Sequence, residues 1–405
     1  MSEWVESKID ELTSDIIDCV NKTAPVVDYV TPYKMIRTSN VKEGRLNVSE
    51  VKYVEEDVFK KWTRRGTLQE NDVILTREAP LGEVARITNE TNFFLGQRLV
   101  MYRPDINKID PDFLFYAMLG REVKYQIKAF GMGSTVEHMR VPDCSEIIIS
   151  HPVSIEEQAH IGKTLSSLDK KITLLRQQNQ TLEELAQTLF KRWFVEFEFP
   201  FDFAQGKPDE NGRPYKSSGG KMVESELGEI PEGWRVGLLS EILEIKYGKD
   251  HKHLANGDYP VYGSGGVMRY VNDYLYNKPS ILLPRKGTLS NIFYLEEPFW
   301  SVDTMFYSKI KKVEYGKYCF QLLKRVNLSL LDVGSAVPSL STSVLNEMDV
   351  LIPPFEIVND FEETLTPLYH KNNSNKNEIQ GLTQLRDTLL PKLMSGEVRI
   401  NDSQI

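Results

Sequence analysis

The sequence predicts two pseudo-repeated mixed α/β (α+β) domains joined by two long helices that form an intramolecular antiparallel coiled coil. Three observations carry this prediction. First, residues 155–190 align without gaps on 355–390, with identities at Glu156/Glu356, Thr164/Thr364, Leu165/Leu365, Leu168/Leu368, Lys171/Lys371, Gln180/Gln380, Leu182/Leu382, Leu185/Leu385, Thr188/Thr388 and Leu189/Leu389. Chance supplies roughly two matches in such a window, so a unit has been duplicated. Second, both windows hold apolar residues at alternating spacings of three and four, the signature of a coiled-coil seam. Third, the preceding segments are related more loosely. Residues 4–12 resemble 234–242, 72–77 resemble 279–285, and 133–136 (Gly-Ser-Thr-Val) resemble 334–337 (Gly-Ser-Ala-Val).

Taken in order, residues 1–150 form the first domain. Short β-branched or alternating stretches separated by Gly, Asn and Pro give it a prominent sheet, and a strand-like run at 147–149 leads into its helix. That first helix (154–197) opens at Ser154, with Glu157 placed for a capping box. Its seam runs Leu165, Leu168, Ile172, Leu175, Asn179, Leu182, Ala186, Leu189, Trp193. Residues 198–233 are rich in Gly, Pro and Ser and read as a linker whose aromatic start keeps it from being fully free. The second domain (234–353) repeats the first and ends in a strand-like run at 350–352. The second helix (354–400) opens at Pro353-Pro354 and stops at Gly396. Its seam reads Leu365, Leu368, Asn372, Asn375, Ile379, Leu382, Arg386, Leu389, Leu393, in which Asn372, Asn375 and Arg386 weaken a self-sufficient coil. The two helices could pair parallel between chains or antiparallel within one chain; antiparallel pairing, the expectation adopted, with Leu165 level with Leu393 sets Asn179 opposite Asn375. A buried Asn pair fixes register at some cost in stability.

Composition bounds the function. With 405 residues, 40% of them apolar, the chain has material for cores and excludes wholesale disorder. Cys19, Cys144 and Cys319 lie far apart, which argues against a disulfide framework or a structural zinc and for a reducing, cytoplasmic setting. The N-terminus has no signal-peptide pattern, and no apolar run approaches the roughly 18–20 residues of a membrane span. The net charge of −9 is awkward for a nucleic-acid binder taken as a whole, because phosphate contacts need cations, but local basic clusters exist.

Enzyme signatures are missing. Residues 352–355 (Ile-Pro-Pro-Phe) resemble the N/D-P-P-Y/F loop of amino-methyltransferases, but Ile352 cannot accept the amine's hydrogen bond. Neither Gly131-Met-Gly133 nor Gly263-Ser-Gly-Gly266 matches a glycine signature for S-adenosylmethionine. Gly162-Lys163-Thr164 lacks the first glycine of a P-loop, since position 157 is Glu. His251 and His253 have no further metal ligands at useful spacing, and the expected metal count is none.

Basic clusters with aromatics are better represented. Lys60, Lys61, Arg64 and Arg65 surround Trp62, and Lys246, Lys249, His251, Lys252 and His253 follow the same pattern in the second half. Cations of this kind fix phosphates and reach guanine edges, although a single charge run is usually just a solvated face. Arg77 and Arg285 occupy matching places in the repeat, the latter followed by Lys286. The Gly-Ser loops, with Ser134, Thr135, His138 and Arg140 in one copy and Ser335 in the other, offer hydroxyls and amides, or serve as ordinary turns.

Several stretches together resemble a known family. They are 213–221 (Arg-Pro-Tyr-Lys-Ser-Ser-Gly-Gly-Lys), 227–234 (Leu-Gly-Glu-Ile-Pro-Glu-Gly-Trp), 259–264 (Tyr-Pro-Val-Tyr-Gly-Ser) and the Ile-Pro-Pro turn into a heptad helix. Their order and the duplication are similar to a specificity (S) subunit of a Type I restriction–modification enzyme, and the resemblance covers essentially the whole chain. It implies two target-recognition domains, each reading half of a bipartite, asymmetric double-stranded DNA site. The helices would be an antiparallel ruler that also docks two methyltransferase (M) subunits, with restriction/translocase (R) subunits joining afterwards. It implies no catalysis and no cofactor in this chain, S-adenosylmethionine being expected in the partner methyltransferase. Two alternatives remain: a recognition subunit for a fused methylase–nuclease partner, and a non-enzymatic coiled-coil scaffold for proteins. The DNA-contact candidates are the cations, hydroxyls and imidazoles named above, with Tyr262 and Ser264 added. About 30 helical residues span ~45 Å, enough to hold two domains over half-sites ~34–36 Å apart.

Overall fold

The computed structural model describes residues 3–88, 91–132, 137–209, 211–287, 289–331 and 339–399. It divides into two units, residues 1–175 with 377–405 and residues 176–376.

In the first unit, Trp4–Lys8 pairs antiparallel with Ile148–Pro152, the strand that leads into the first long helix. A four-stranded antiparallel sheet follows in the order Thr13–Asp18, Leu99–Pro104, Val73–Arg77, Leu81–Arg86. Its two central strands, Leu99–Pro104 and Val73–Arg77, are near-continuous apolar runs because both of their faces are covered. Val73, Leu75, Val84, Val100 and Tyr102 face a core built from helices Pro111–Leu119 and Arg121–Gly131. Ile74, Ala85, Leu99 and Met101 face the other way. That opposite face packs on Tyr33–Ile36 and Phe93–Leu95, which pair in parallel, with Lys52–Val54 antiparallel on the outer side.

The second unit repeats the order of the two main sheets and of the terminal strand pair. Arg235–Leu238 pairs with Asp349–Ile352, and the four-stranded sheet runs Leu243–Tyr247, Met305–Ile310, Ser280–Pro284, Phe293–Leu295. Its companion sheet again combines one antiparallel and one parallel pair, with Gly266–Val271 and Trp300–Ser301 flanking Tyr259–Gly263. Ile281, Leu283 and Phe306 face the helical core, whereas Leu282, Met305 and Tyr307 face the companion sheet. The duplication predicted from scattered identities is therefore a duplication of sheet order and register.

The long helices are Ile155–Phe194 and Phe355–Met394, 40 residues each. Ser154 Oγ accepts from Glu157 N at 3.2 Å, and Gly396 takes a φ of 72° just past the second helix, so both predicted ends are capped. Within each unit the helical segments run antiparallel. In the first unit Ile161 and Leu165 share a core with Leu389, Leu390, Leu393 and Met394. In the second, Ala186, Phe190 and Trp193 share one with Phe361, Leu365 and Leu368. The seam residues Leu165, Leu168, Ile172, Leu175, Asn179, Leu182, Leu189, Leu365, Leu368, Asn375, Ile379, Leu382 and Leu389 are all buried or half-buried, while the off-seam Leu174 and Leu185 are exposed.

Asn179 and Asn375 meet as the register predicts, Asn375 Nδ2 donating to Asn179 Oδ1 at 2.9 Å. Asn372 Nδ2 adds a bond to the Asn179 carbonyl at 3.4 Å. Arg386, expected to weaken the seam, instead donates to Asp169 Oδ1 at 2.7 Å, and Tyr116 Oη donates to Asp169 Oδ2 at 2.7 Å. We expect Asn375→Leu to destabilise the protein by about 1–3 kcal/mol, since it leaves the Asn179 amide buried without its partner. Replacing both Asn by Leu should restore stability while loosening register. Urea denaturation of the two variants decides this, and a single variant as stable as the parent would count against the pair.

The segment 198–233 is more ordered than a linker composition suggests. Pro200–Asp202, Lys207–Pro208 and Arg213–Pro214 form a small sheet, and Met222–Ser225 pairs with Gly228–Pro231. Phe199 stacks on Tyr215 at 4.7 Å and on Trp234 at 5.3 Å, which ties the segment to the second unit's core. In the same unit Lys317 is almost fully buried. Its ammonium pairs with Glu362, lies 3.5 Å from Glu296 Oε1 and donates to Thr366 Oγ1 at 3.2 Å. Burial holds the Glu362 carboxyl above its ordinary range, while Lys317 pulls it down. Among the described residues no helix is long and apolar enough to cross a membrane.

Candidate nucleic-acid interface

Each module has one corner where the end of its first sheet strand, the end of its third strand and the segment returning from the Gly-Ser loop meet. In the first, Cys19 N donates to Leu99 O at 3.1 Å, Arg77 N to Arg98 O at 2.8 Å, and Met139 N to Arg77 O at 3.0 Å. In the second, Gly248 N donates to Met305 O at 3.0 Å, Arg285 N to Thr304 O at 2.9 Å, and Leu340 N to Arg285 O at 2.9 Å. Arg77 and Arg285 are therefore true counterparts, as the repeat indicated.

Their side chains differ. Arg77 is 8% exposed and turned inward, Nη1 donating to Met139 O at 3.1 Å, so it holds the segment at Met139. Arg285 is half-buried, bonds Asp303 O at 2.9 Å and lies over the Tyr247 ring at 5.4 Å. Lys286 beside it is exposed. In the first module His138 Nδ1 lies 3.3 Å from Glu78 Oε2, and Arg140, with an exposed side chain, holds Asp143 through two 2.8 Å bonds. Those bonds keep the Asp143 carboxyl below its usual range. Ser134, Thr135 and Ser335 lie outside the described residues.

The two basic clusters do not occupy matching places in the repeat. Lys60, Lys61, Arg64 and Arg65 belong to the connection between Lys52–Val54 and Val73–Arg77, on and just after helix Glu56–Trp62. Lys249, His251, Lys252 and His253 follow the strand Leu243–Tyr247 instead. They nevertheless reach the same corner. Arg65 pairs with Asp18, the residue that faces Val100 as Tyr247 faces Phe306 in the second module, and Trp62 Nε1 bonds Lys22 O at 3.4 Å. Lys61 lies over the Trp62 ring at 5.7 Å, Lys60 pairs with Glu56 at 2.7 Å, and Arg64 is exposed.

In the second module the loop is fastened by Trp300 Nε1 to Lys249 O at 3.0 Å and by Arg269 Nη2 to Leu254 O at 3.0 Å. His253 packs edge-on to Trp300 at 5.9 Å, and His251 Nδ1 is buried with no hydrogen bond to a described residue. Tyr262 packs on Phe293 at 5.5 Å, and Ser264 O accepts from Asn291 Nδ2 at 2.7 Å, so these two shape the turn next to Arg285. Each corner thus presents cations on a rigid sheet end, which suits a polyanion held against fixed backbone. Sequence reasoning missed Arg98, 3.4 Å from Glu78 at the first corner, because it stands alone in an apolar run.

The family described as type I restriction modification DNA specificity domain matches residues 1–184 and 231–384. The chain belongs to this specificity-subunit family. It is 27% identical to the type I restriction enzyme MjaIX specificity subunit of Methanocaldococcus jannaschii, over 93% of this chain and 88% of the relative. It is 24% identical to the HindI specificity subunit of Haemophilus influenzae, over 98% and 100% of the two chains. The crystal structure of the type I S subunit from M. genitalium superposes with a TM-score of 0.59 at 22% identity, covering 97% of this chain and 96% of that one, which supports the shared fold.

Proposed function

We propose that this specificity subunit addresses a Type I restriction–modification complex to a bipartite, asymmetric double-stranded DNA site, each module reading one half. In this reading the paired helices space the modules and dock two methyltransferase (M) subunits, which carry S-adenosylmethionine, and restriction/translocase (R) subunits join them. The chain itself carries out no chemistry and binds no cofactor. The observation that supports the reading best is the repeated corner, built on the same sheet ends in both modules but furnished with different side chains. A shared frame with divergent contacts is what two unlike half-sites require.

The test is methylome sequencing of cells expressing this chain with its methyltransferase. The expected result is adenine methylation in one interrupted, asymmetric motif. In vitro, Arg64→Gln with Arg65→Gln, or Lys249→Gln with Lys252→Gln, should weaken DNA binding and flatten its salt dependence by up to about two in log–log slope. Unchanged binding across a salt series would remove those clusters from the interface.

A further inference from the structure

The helix Arg121–Gly131 carries a second, separate basic surface. Successive residues advance ~100° around a helix at 3.6 per turn, so Lys124, Lys128, Arg121 and Tyr125 share an arc of about 100°. All four are exposed, Tyr125 at 75%, while Val123 and Ile127 on the far side, and Gly131 on the flank next to Lys124, are buried. None of the three cations forms an ion pair among the described residues, and the helix's one acid, Glu122, lies at the edge of the arc. The buried side packs against the sheet next to the first module's corner, where a Cβ added to Gly131 would fall 2.3 Å from Leu81 Cδ2 and 3.6 Å from His138 N.

We propose that this outward helix face is a rail for the sugar–phosphate backbone of duplex DNA, present in the first module alone. From Arg121 to Lys128 the helix rises ~10.5 Å, the axial length of about three phosphates on one strand at ~3.4 Å each. Three unneutralised cations at that spacing complement one stretch of strand, and the exposed Tyr125 adds a hydroxyl donor between them. Among the described residues the second module has no equivalent. There Gly316–Arg325 takes the place of Pro111–Leu119, since Gln321 Nε2 bonds Tyr369 Oη at 2.9 Å where Tyr116 bonds Asp169. The next described residues, 326–331 (Val-Asn-Leu-Ser-Leu-Leu), contain no cation and form only the short turn Leu328–Leu331. The first module therefore grips the backbone more strongly, without reading additional bases.

This inference rests on the chain being a DNA-addressing subunit, and its test separates the two. The complex with its methyltransferase, parent and R121Q/K124Q/K128Q, is titrated with target and unrelated duplexes from about 50 to 200 mM salt. We expect the slope of log affinity against log salt to become shallower by about two to three on both duplexes, at roughly 0.9 per lost phosphate contact. The methylated motif and co-purification with the methyltransferase should be unchanged, and K124R/K128R should keep the parental slope. Parental DNA binding with an unaltered slope in the triple variant overturns the rail alone. Loss of the methyltransferase from the variant also overturns it, since the face would then be a protein interface. A parent complex that ignores DNA sinks both the rail and the DNA-addressing reading.

Discussion

Adding seven residues to both long helices should lengthen the spacer between half-sites by roughly one to three base pairs and leave the half-sites unchanged. Seven helical residues extend a coil by ~10.5 Å, equal to about three base-pair rises of ~3.4 Å, which sets the upper end. Three steps also rotate the duplex by about 100°, at 10–10.5 base pairs per turn. A heptad rotates the coil by only ~20°. That mismatch in twist draws the expected change below three.

The structure dictates where the residues go. One set of cross-helix partners lies in the first unit, with Asp169 bonded to Arg386 and Lys171 Nζ 3.2 Å from Glu378 Oε1. The other lies in the second unit, with Asn179 bonded to Asn375. Insertion after Leu175 in one helix and before Asn377 in the other keeps every partner. Insertion in a single helix puts the two sets seven residues out of step and should yield unstable protein instead of a new spacer. Methylome sequencing of the paired insertion is the deciding measurement. Altered half-site bases, or an unchanged spacer, would defeat the ruler.

The seam was legible in the sequence because burial in a paired helix imposes a strict period, and register followed once Leu165 was set against Leu393. The repeat of the globular halves was legible only in outline, yet its matches at 4–12 and 72–77 correspond to strands in equivalent register. Other features depend on contacts between residues far apart in the chain, which no local pattern encodes. Arg386 looked like a flaw in a heptad because its partner Asp169 lies 217 positions away. Arg77 looked like a surface cation, but its guanidinium is buried on the carbonyl of Met139. The basic clusters looked like counterparts because both mix cations with aromatics, whereas they arise from different connections and converge only in three dimensions. The stripe on Arg121–Gly131 escaped notice because its cations are spaced for a helix face and never form a run. Residues 198–233 have the composition of a linker, but Phe199, Tyr215 and Trp234 stack across 35 positions to order it.

Lys317→Ala should be the most destabilising single change in the second unit, by about 3–5 kcal/mol, the usual effect of removing one partner from a buried ion pair. The Lys317 side chain is 2% exposed, and its ammonium is surrounded by Glu362, Glu296, Thr366 Oγ1 and the rings of Tyr294 and Tyr369 at 5.8 and 5.4 Å. Without it, Glu362 and Glu296 face each other across apolar surroundings with no counter-charge. Glu362 is already held above the ordinary carboxylate range by burial, and loss of the Lys317 side chain removes its hydrogen bond and charge, leaving only the backbone N–H of residue 317 to lower it. A carboxyl whose folded value exceeds its unfolded value is protonated more readily in the native state. Its contribution therefore favours folding below the unfolded value and is lost as pH rises through the folded one. The deficit of the variant should accordingly be smaller at mildly acidic pH than at neutrality, and Lys317→Ala with Glu362→Gln should recover part of it. Urea denaturation at two pH values measures all three. A Lys317→Ala protein within about 1 kcal/mol of the parent, with no pH dependence, would mean that the cluster is hydrated and contributes little. The position matters for the proposed function because Lys317 lies on the helix Gly316–Arg325 of the second module and Glu362 on the second long helix. The ion pair fixes the module to the element proposed to set its spacing, so loosening it should blur the spacer before it alters the bases read.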